Sequence, residues 1–309
     1  MRTIFIVPTE ATSMAIRDAL RGITAPTVTP FDDGAIDEAA LTDLLTHLED
    51  GGIDAVFPCG TTGEFPSLTA DEQRRVVEAT VDRVDVPVVA GAAATSVANT
   101  VAAIDRAAEA GADAAAIVAP YFTTANAPAG NRRFFEAVLD NAALPVLLYN
   151  IPQCTGRRIE PETVAAVADR DGVLGIKDSS GDLAYFLSVL RAAPDEFLCL
   201  QGYDALLVPA LRMGADGGIN ALSNVVPEVL GEAFDRADEA RGRELQSDAI
   251  SPLFEACTSH GFAPATKTAL TERGVVPSDE VRPPLVAVDD AGTEAIGDAL
   301  EAALEVGGQ

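Results

Sequence analysis

Leu174-Gly175-Ile176-Lys177-Asp178-Ser179-Ser180-Gly181 contains the unit from which the chain is built. A short apolar run stops at a lysine, a polar loop closed by glycine follows, and an apolar-periodic segment begins at Leu183. The run is too short for a helix and reads as a buried strand. Working outward, the same order recurs from Gly22 onward. Strands are expected near Ile23–Val28, Ala55–Pro58, Val86–Gly91, Ala114–Ala119, Pro145–Tyr149, Leu174–Lys177, Phe197–Gln201 and Gly217–Asn220. Their spacing of roughly 20–32 residues is the rhythm of βα units. Helix starts such as Thr69-Ala70-Asp71-Glu72 and Pro161-Glu162 place acids in the first turn, where the helix dipole favours them. Eight continuous βα units predict an α/β fold of the (β/α)8 TIM barrel type. No GxGxxG follows the first strand, which argues against a dinucleotide fold.

Beyond the eighth strand, helices are expected over Pro227–Ala240, Gly242–His260, Ala263–Arg273 and Ala291–Val306. One helix suffices to close a barrel, so the rest predict an additional C-terminal helical layer. Residues 21–309 are read as a single domain. Residues 1–20 are read as a poorly ordered N-terminal extension: they lack the features of a signal peptide, and Met14 precedes a plausible start.

The 309-residue length suits one barrel, and 48% hydrophobic residues supply its core. No apolar run approaches the ~20 residues of a membrane span. Cys59, Cys154, Cys199 and Cys257 are widely spaced, and His47 and His260 are the only histidines. Neither a disulfide framework nor a metal site is indicated, and the protein is expected in a reducing cytoplasm. Acidic residues outnumber basic ones 48 to 21, for a net charge of −27. Such a surface repels nucleic acid. The acidity is spread over the helices rather than gathered in a tail, which predicts a halophilic protein whose self-repulsion is screened by salt. Lys177 and Lys267 are the only lysines beside 19 arginines. A lysine retained in such a chain points to work arginine cannot do, and nucleophilic attack by a neutral amine is one example.

In a (β/α)8 barrel the active site gathers at the C-terminal ends of the strands. Three segments fall there. Gly60-Thr61-Thr62-Gly63-Glu64 offers backbone N–H groups and two hydroxyls to a carboxylate, and is equally readable as a glycine-rich turn with capping threonines. Tyr149 in Tyr149-Asn150-Ile151-Pro152 can direct its phenol into the mouth or serve as a core tyrosine. Lys177 leaves an apolar strand, where desolvation would free its amine; the alternative is a structural lysine paired with Asp178 or another acid. Tyr149 and Lys177 end consecutive strands, which lie ~4.8 Å apart in a sheet, so their heads can converge. Lys267, in a helix beyond the strands, reads as a salt-bridge or surface residue.

Together TPFDDGAID, GTTGE, YNIP, GIKDSSGD and RPPL, met in that order between about Arg21 and Asp290, resemble the dihydrodipicolinate synthase/N-acetylneuraminate lyase family. The resemblance implies a barrel with C-terminal helices, a homotetramer, and Schiff-base chemistry on a small 2-oxo acid, with no metal or organic cofactor. By motif position it makes Lys177 the Schiff-base residue, Tyr149 the catalytic tyrosine and Thr61 and Thr62 the carboxylate-binding pair. Gly60 joins that loop, and Gly202, Ile219 and Asn220 fall where family members line the pocket.

Two departures bear on the reaction. Cys154 stands where synthases of the family carry an arginine for the second substrate's carboxylate, and Phe122 stands where they often use a second tyrosine. Both argue against the synthase reaction, and the YNxPxxTG form without arginine resembles archaeal 2-keto-3-deoxygluconate and 2-keto-3-deoxy-6-phosphogluconate aldolases. The expected reaction is therefore cleavage of such a sugar acid to pyruvate and glyceraldehyde or its 3-phosphate, in an Entner–Doudoroff type of carbohydrate metabolism. Lys177 would form the iminium and Tyr149 would act as base, with Arg157, Arg132 or Arg133 as candidates for a phosphate. The alternatives are 4-hydroxy-tetrahydrodipicolinate synthase and a 2-keto-3-deoxy sugar acid dehydratase.

The acidic surface generates a first prediction. Solubility and activity should rise from dilute buffer toward salt on the order of 1 M, where the screening length falls to about 3 Å; best performance in dilute buffer would contradict it.

Overall fold

A computed structural model describes residues 10–123 and 127–308. The eight expected strands are present: β1 (Ile23–Ala25), β2 (Ala55–Val56), β3 (Val89–Gly91), β4 (Ala114–Val118), β5 (Val146–Asn150), β6 (Val173–Asp178), β7 (Leu198–Gln201) and β8 (Gly217–Ile219). All pair in parallel, in the order β2-β1-β8-β7-β6-β5-β4-β3. A parallel bridge between Val56 and Val88 joins the two ends and closes the ring. With a helix after each strand, this is a (β/α)8 barrel.

Side chains alternate along each strand between two environments. Val89, Ala114, Ala116, Leu147, Leu174, Leu198, Leu200 and Ile219 meet inside the barrel. Their neighbours Ala115, Ile117, Leu148, Ile176 and Cys199 pack outward against the helices. Both faces of every strand are buried, which is why the strands read as continuous apolar runs.

A helix over Glu10–Ala19 lies beneath this ring. Ile16 and Leu20 are buried in the inner cluster. The Arg17 guanidinium donates to the carbonyls of Val173 (2.7 Å), Leu174 (3.1 Å) and Glu196 (2.6 Å), at the starts of β6 and β7. The segment thus plugs the end of the barrel opposite Lys177. The expectation of a poorly ordered extension lies, for residues 1–9, outside the described residues. Two apolar residues at i and i+4, Ile16 and Leu20, are too small a pattern to announce such docking in sequence.

The Thr69 helix start is confirmed as a reciprocal capping box with Glu72. The C-terminal layer is also present, with helices over Pro227–Asp235, Phe262–Glu272 and Asp290–Gly307. The expected helix Gly242–His260 divides into Ala240–Glu244, a wider π-helical stretch over Leu245–Ile250, and Ser251–Thr258. Pro252 has no N–H for the preceding turn, and the ladder is re-registered just before it. No helix among the described residues is long and apolar enough to cross a membrane.

Replacing Arg17 with alanine removes three hydrogen bonds at the starts of two strands, two of them part-buried, and should lower stability by about 1–3 kcal/mol. Urea unfolding checks this: the midpoint should fall at constant m-value, and an unchanged midpoint would show that the plug carries no load.

Candidate active site

Strand register brings the two central residues together. Tyr149 of β5 pairs directly with Lys177 of β6, and the next pair is Asn150 with Asp178. Alternation separates these pairs to opposite faces. Tyr149 joins the inner cluster. On the outer side Asn150 Nδ2 donates to Asp178 Oδ1 at 2.7 Å, and the Ser180 N–H and hydroxyl also bind the Asp178 carboxylate. Asp178 is therefore occupied elsewhere, and Lys177 makes no salt bridge among the described residues. The Lys177 Nζ instead lies 4.3 Å from the Tyr149 ring centroid and 5.2 Å from that of Phe57, with the residue only 4% exposed. Burial lowers its pKa to about 7, against an opposing pull from the Asp204 carboxylate. A large share of the amine is consequently neutral and nucleophilic near neutral pH.

The Tyr149 hydroxyl is 3.4 Å from Thr61 Oγ1. Burial pushes its pKa up to about 12, with hydrogen bonds from Thr61 and Ser179 acting the other way. This phenol is protonated at rest. It is poised to donate or relay a proton, rather than to begin as the base that the sequence led us to expect.

Thr61 and Thr62 lie in the loop after β2, Thr62 buried and Thr61 half-buried. Gly63 is pressed against the Thr27 carbonyl, where a Cβ would approach to 2.8 Å, and its own carbonyl accepts the Thr29 hydroxyl at 2.8 Å. Gly60 packs over Phe57 and accepts the Phe65 N–H. Glu64 ends the motif in a left-handed conformation, φ 54°, and forms an ion pair with Lys267 at 2.5 Å, both side chains fully buried. The salt-bridge reading of Lys267 holds and the surface one does not.

Gly202, the residue after β7, borders the lysine stem: a Cβ there would lie 2.7 Å from Lys177 Cε and 2.3 Å from Ser179 Oγ. Only glycine leaves room for that stem. Ile219 faces the barrel interior. Asn220, one residue on, is fully buried and by alternation turns away from it. Cys154 sits exposed on the short helix Pro152–Thr155. Phe122 is 94% exposed at φ 75°. Arg132 pairs with Glu136 and Arg157 with Glu160, and Arg133 is exposed.

Sequence reasoning passed over Phe57, Ser179 and Asp204. Phe57 is the first residue beyond β2, Ser179 lies two residues past the lysine, and Asp204 lies two past Gly202. Asp204 is 1% exposed and accepts the Leu222 N–H at 2.8 Å; burial raises its pKa to about 6. Position just beyond a strand's C-terminal end was the available signal for all three.

Known proteins resemble the chain over nearly its whole length. Residues 19–303 match the model of the dihydrodipicolinate synthetase family. The chain is 37% identical over 281 residues to 4-hydroxy-tetrahydrodipicolinate synthase of Syntrophus aciditrophicus, covering 89% of this chain and 95% of that one. It is 38% identical to an uncharacterized DapA-like lyase of Halobacterium salinarum, covering 92% and 95%. Among solved structures, the 4-hydroxy-tetrahydrodipicolinate synthase of Methylacidiphilum fumariolicum superposes with a TM-score of 0.87 at 31% identity, covering 92% and 96%. These relatives do not support the sugar-acid aldolase expectation or its Entner–Doudoroff setting; those with a named activity carry the synthase name that stood as the alternative.

The depressed lysine predicts a pH profile. The reactive neutral amine gains as pH rises through its pKa, so imine formation with a 2-oxo acid should accelerate between about pH 6 and pH 8 and then level off. Stopped-flow trapping in the free enzyme measures this. A midpoint near the ordinary lysine value of 10.5 would contradict the burial argument.

Proposed function

The chain belongs to the dihydrodipicolinate synthetase family, a family of Schiff-base carbon–carbon lyases, and on that footing we propose that it is a 4-hydroxy-tetrahydrodipicolinate synthase joining pyruvate to aspartate 4-semialdehyde. The observation that carries the reading is the register pair Tyr149–Lys177, with the amine buried against two rings and the phenol within reach of Thr61. Thr61, Thr62 and the N–H groups of their loop hold the pyruvate carboxylate. Neutral Lys177 attacks the C2 carbonyl; the oxygen leaves as water and an iminium remains. Loss of a C3 proton gives the enamine, with the iminium nitrogen as electron sink. The enamine carbon attacks the aldehyde of the second substrate, whose oxygen takes up a proton relayed through Tyr149. The amino group of the semialdehyde then attacks C2, closes the ring and releases Lys177. No step calls on a metal or an organic cofactor. Free cysteines at 59, 154, 199 and 257 accord with a cytoplasmic enzyme, and family resemblance supports a homotetramer.

A second reading rests on Cys154. It offers no bidentate donor to a carboxylate, and that favours an aldehyde without one, as in cleavage of 2-keto-3-deoxygluconate or its 6-phosphate. Product analysis separates the two. Pyruvate with aspartate 4-semialdehyde should give the cyclic product, and the sugar acids should give no pyruvate; the reverse outcome would replace the synthase with an aldolase, and a dehydrated sugar acid with a dehydratase. Borohydride with pyruvate should add one adduct at Lys177. Lys177→Met should abolish both adduct and turnover, and Tyr149→Phe should lower kcat by about 10²–10⁴.

A further inference from the structure

The two lysines of the chain are both buried, yet only Lys177 has a place in the chemistry above. Lys267 lies in the helix Phe262–Glu272, fully enclosed. Its Nζ donates to the Glu280 carbonyl at 2.6 Å, meets Glu64 Oε1 at 2.5 Å and lies 4.1 Å from the Phe31 ring centroid. The other Glu64 oxygen accepts the backbone N–H of Arg282 at 3.0 Å. The Arg282 side chain covers Phe31 at 4.4 Å and reaches the Ser67 carbonyl at 3.0 Å and Glu72 Oε1 at 2.6 Å. It also donates to the Gly34 carbonyl, and Gly34 N–H donates to Glu280. One carboxylate, two residues past Thr62, is thus gripped by two separate parts of the C-terminal layer.

Stability alone does not account for an ion pair here. A buried pair costs desolvation, and apolar side chains of the same volume commonly serve as well or better. What an apolar pair cannot do is fix the direction of a backbone. Glu64 holds a left-handed conformation that non-glycine residues adopt only when their surroundings impose it. Its N–H closes a turn onto the Thr61 carbonyl at 3.2 Å. Displacing Glu64 therefore displaces the Thr61–Thr62 loop, whose Thr61 hydroxyl faces that of Tyr149.

We propose that Glu64, Lys267 and Arg282 form a positioning latch that sets the Thr61–Thr62 loop for the carboxylate of the 2-oxo acid, making the C-terminal layer a determinant of affinity for that substrate. The proposal rests on the reading that this loop receives the pyruvate carboxylate. None of the three touches substrate; each acts through the loop.

The experiment is borohydride trapping at graded pyruvate, with steady-state kinetics, on the full chain. Arg282→Ala removes the partly buried clasp and leaves the fully buried pair. The double variant Glu64→Gln/Lys267→Met removes the charges while keeping an oxygen for the Arg282 N–H. The pyruvate concentration for half-maximal adduct should rise about threefold in the first and about tenfold or more in the second, since small misplacements of binding groups carry large penalties. kcat at saturating pyruvate and KM for the aldehyde should change less than the pyruvate KM. Leu253→Ala, in the fully buried core of the same layer, should lower stability without moving pyruvate affinity. Unchanged half-saturation in the folded variants, or an equal rise in Leu253→Ala, overturns the latch. If the double variant does not fold, Arg282→Ala decides alone. Absence of any adduct in the unaltered protein would instead overturn the carboxylate reading beneath it.

Discussion

Desolvation of a single amine is the constraint around which this molecule is arranged. An ammonium at the end of β6 would need water or a carboxylate in contact, and the barrel supplies two aromatic faces. The cost falls on the charged form, so the neutral nucleophile is stabilised by where it sits. Everything nearby follows from keeping that site dry and narrow. Gly202 yields space to the lysine stem, Phe57 and Tyr149 wall it, and Asn150 and the Ser180 loop engage Asp178 on the far side of the strand. A carboxylate one residue from the nucleophile is harmless only because strand alternation turns it away.

The same alternation explains what the sequence reveals and what it withholds. Eight apolar runs bounded by polar loops announce the barrel because both faces of each strand are covered. The Tyr149–Lys177 pair is legible because neighbouring strands in a parallel sheet end together. Helix caps are legible too, since Thr69 and Glu72 lie three residues apart. Contacts between segments hundreds of residues apart leave no such trace. Glu64 bonds to Arg282 across 218 positions, and Arg17 reaches β6 across 156; neither residue differs in type from the chain's many surface charges. Tyr149 shows a subtler limit. Its position could be read, but its protonation state depends on burial, which only the packed structure supplies. Cys154 and Phe122 show the opposite limit: two local departures carried the expected reaction toward sugar-acid cleavage, while relatives matched across nearly the whole chain carry the synthase name.

The chain's preference for arginine divides its cations by task. Arginines form the pairs at the surface, such as Arg74 with Glu78 and Arg132 with Glu136, where exposure makes each worth little. The two lysines are reserved for the interior, one as a nucleophile and one as a compact charge beneath a loop. A guanidinium could not lose its proton at the first site and would need more room at the second.

The helix beneath the barrel has a consequence for how the fold comes loose. Ile16 and Leu20 fill the end of the ring opposite Lys177, and Arg17 ties that filling to the starts of β6 and β7. The strand that carries the lysine is thus held at its far end by a segment more than 150 residues away in sequence. Fraying of that segment would loosen the strand whose other end aims the amine.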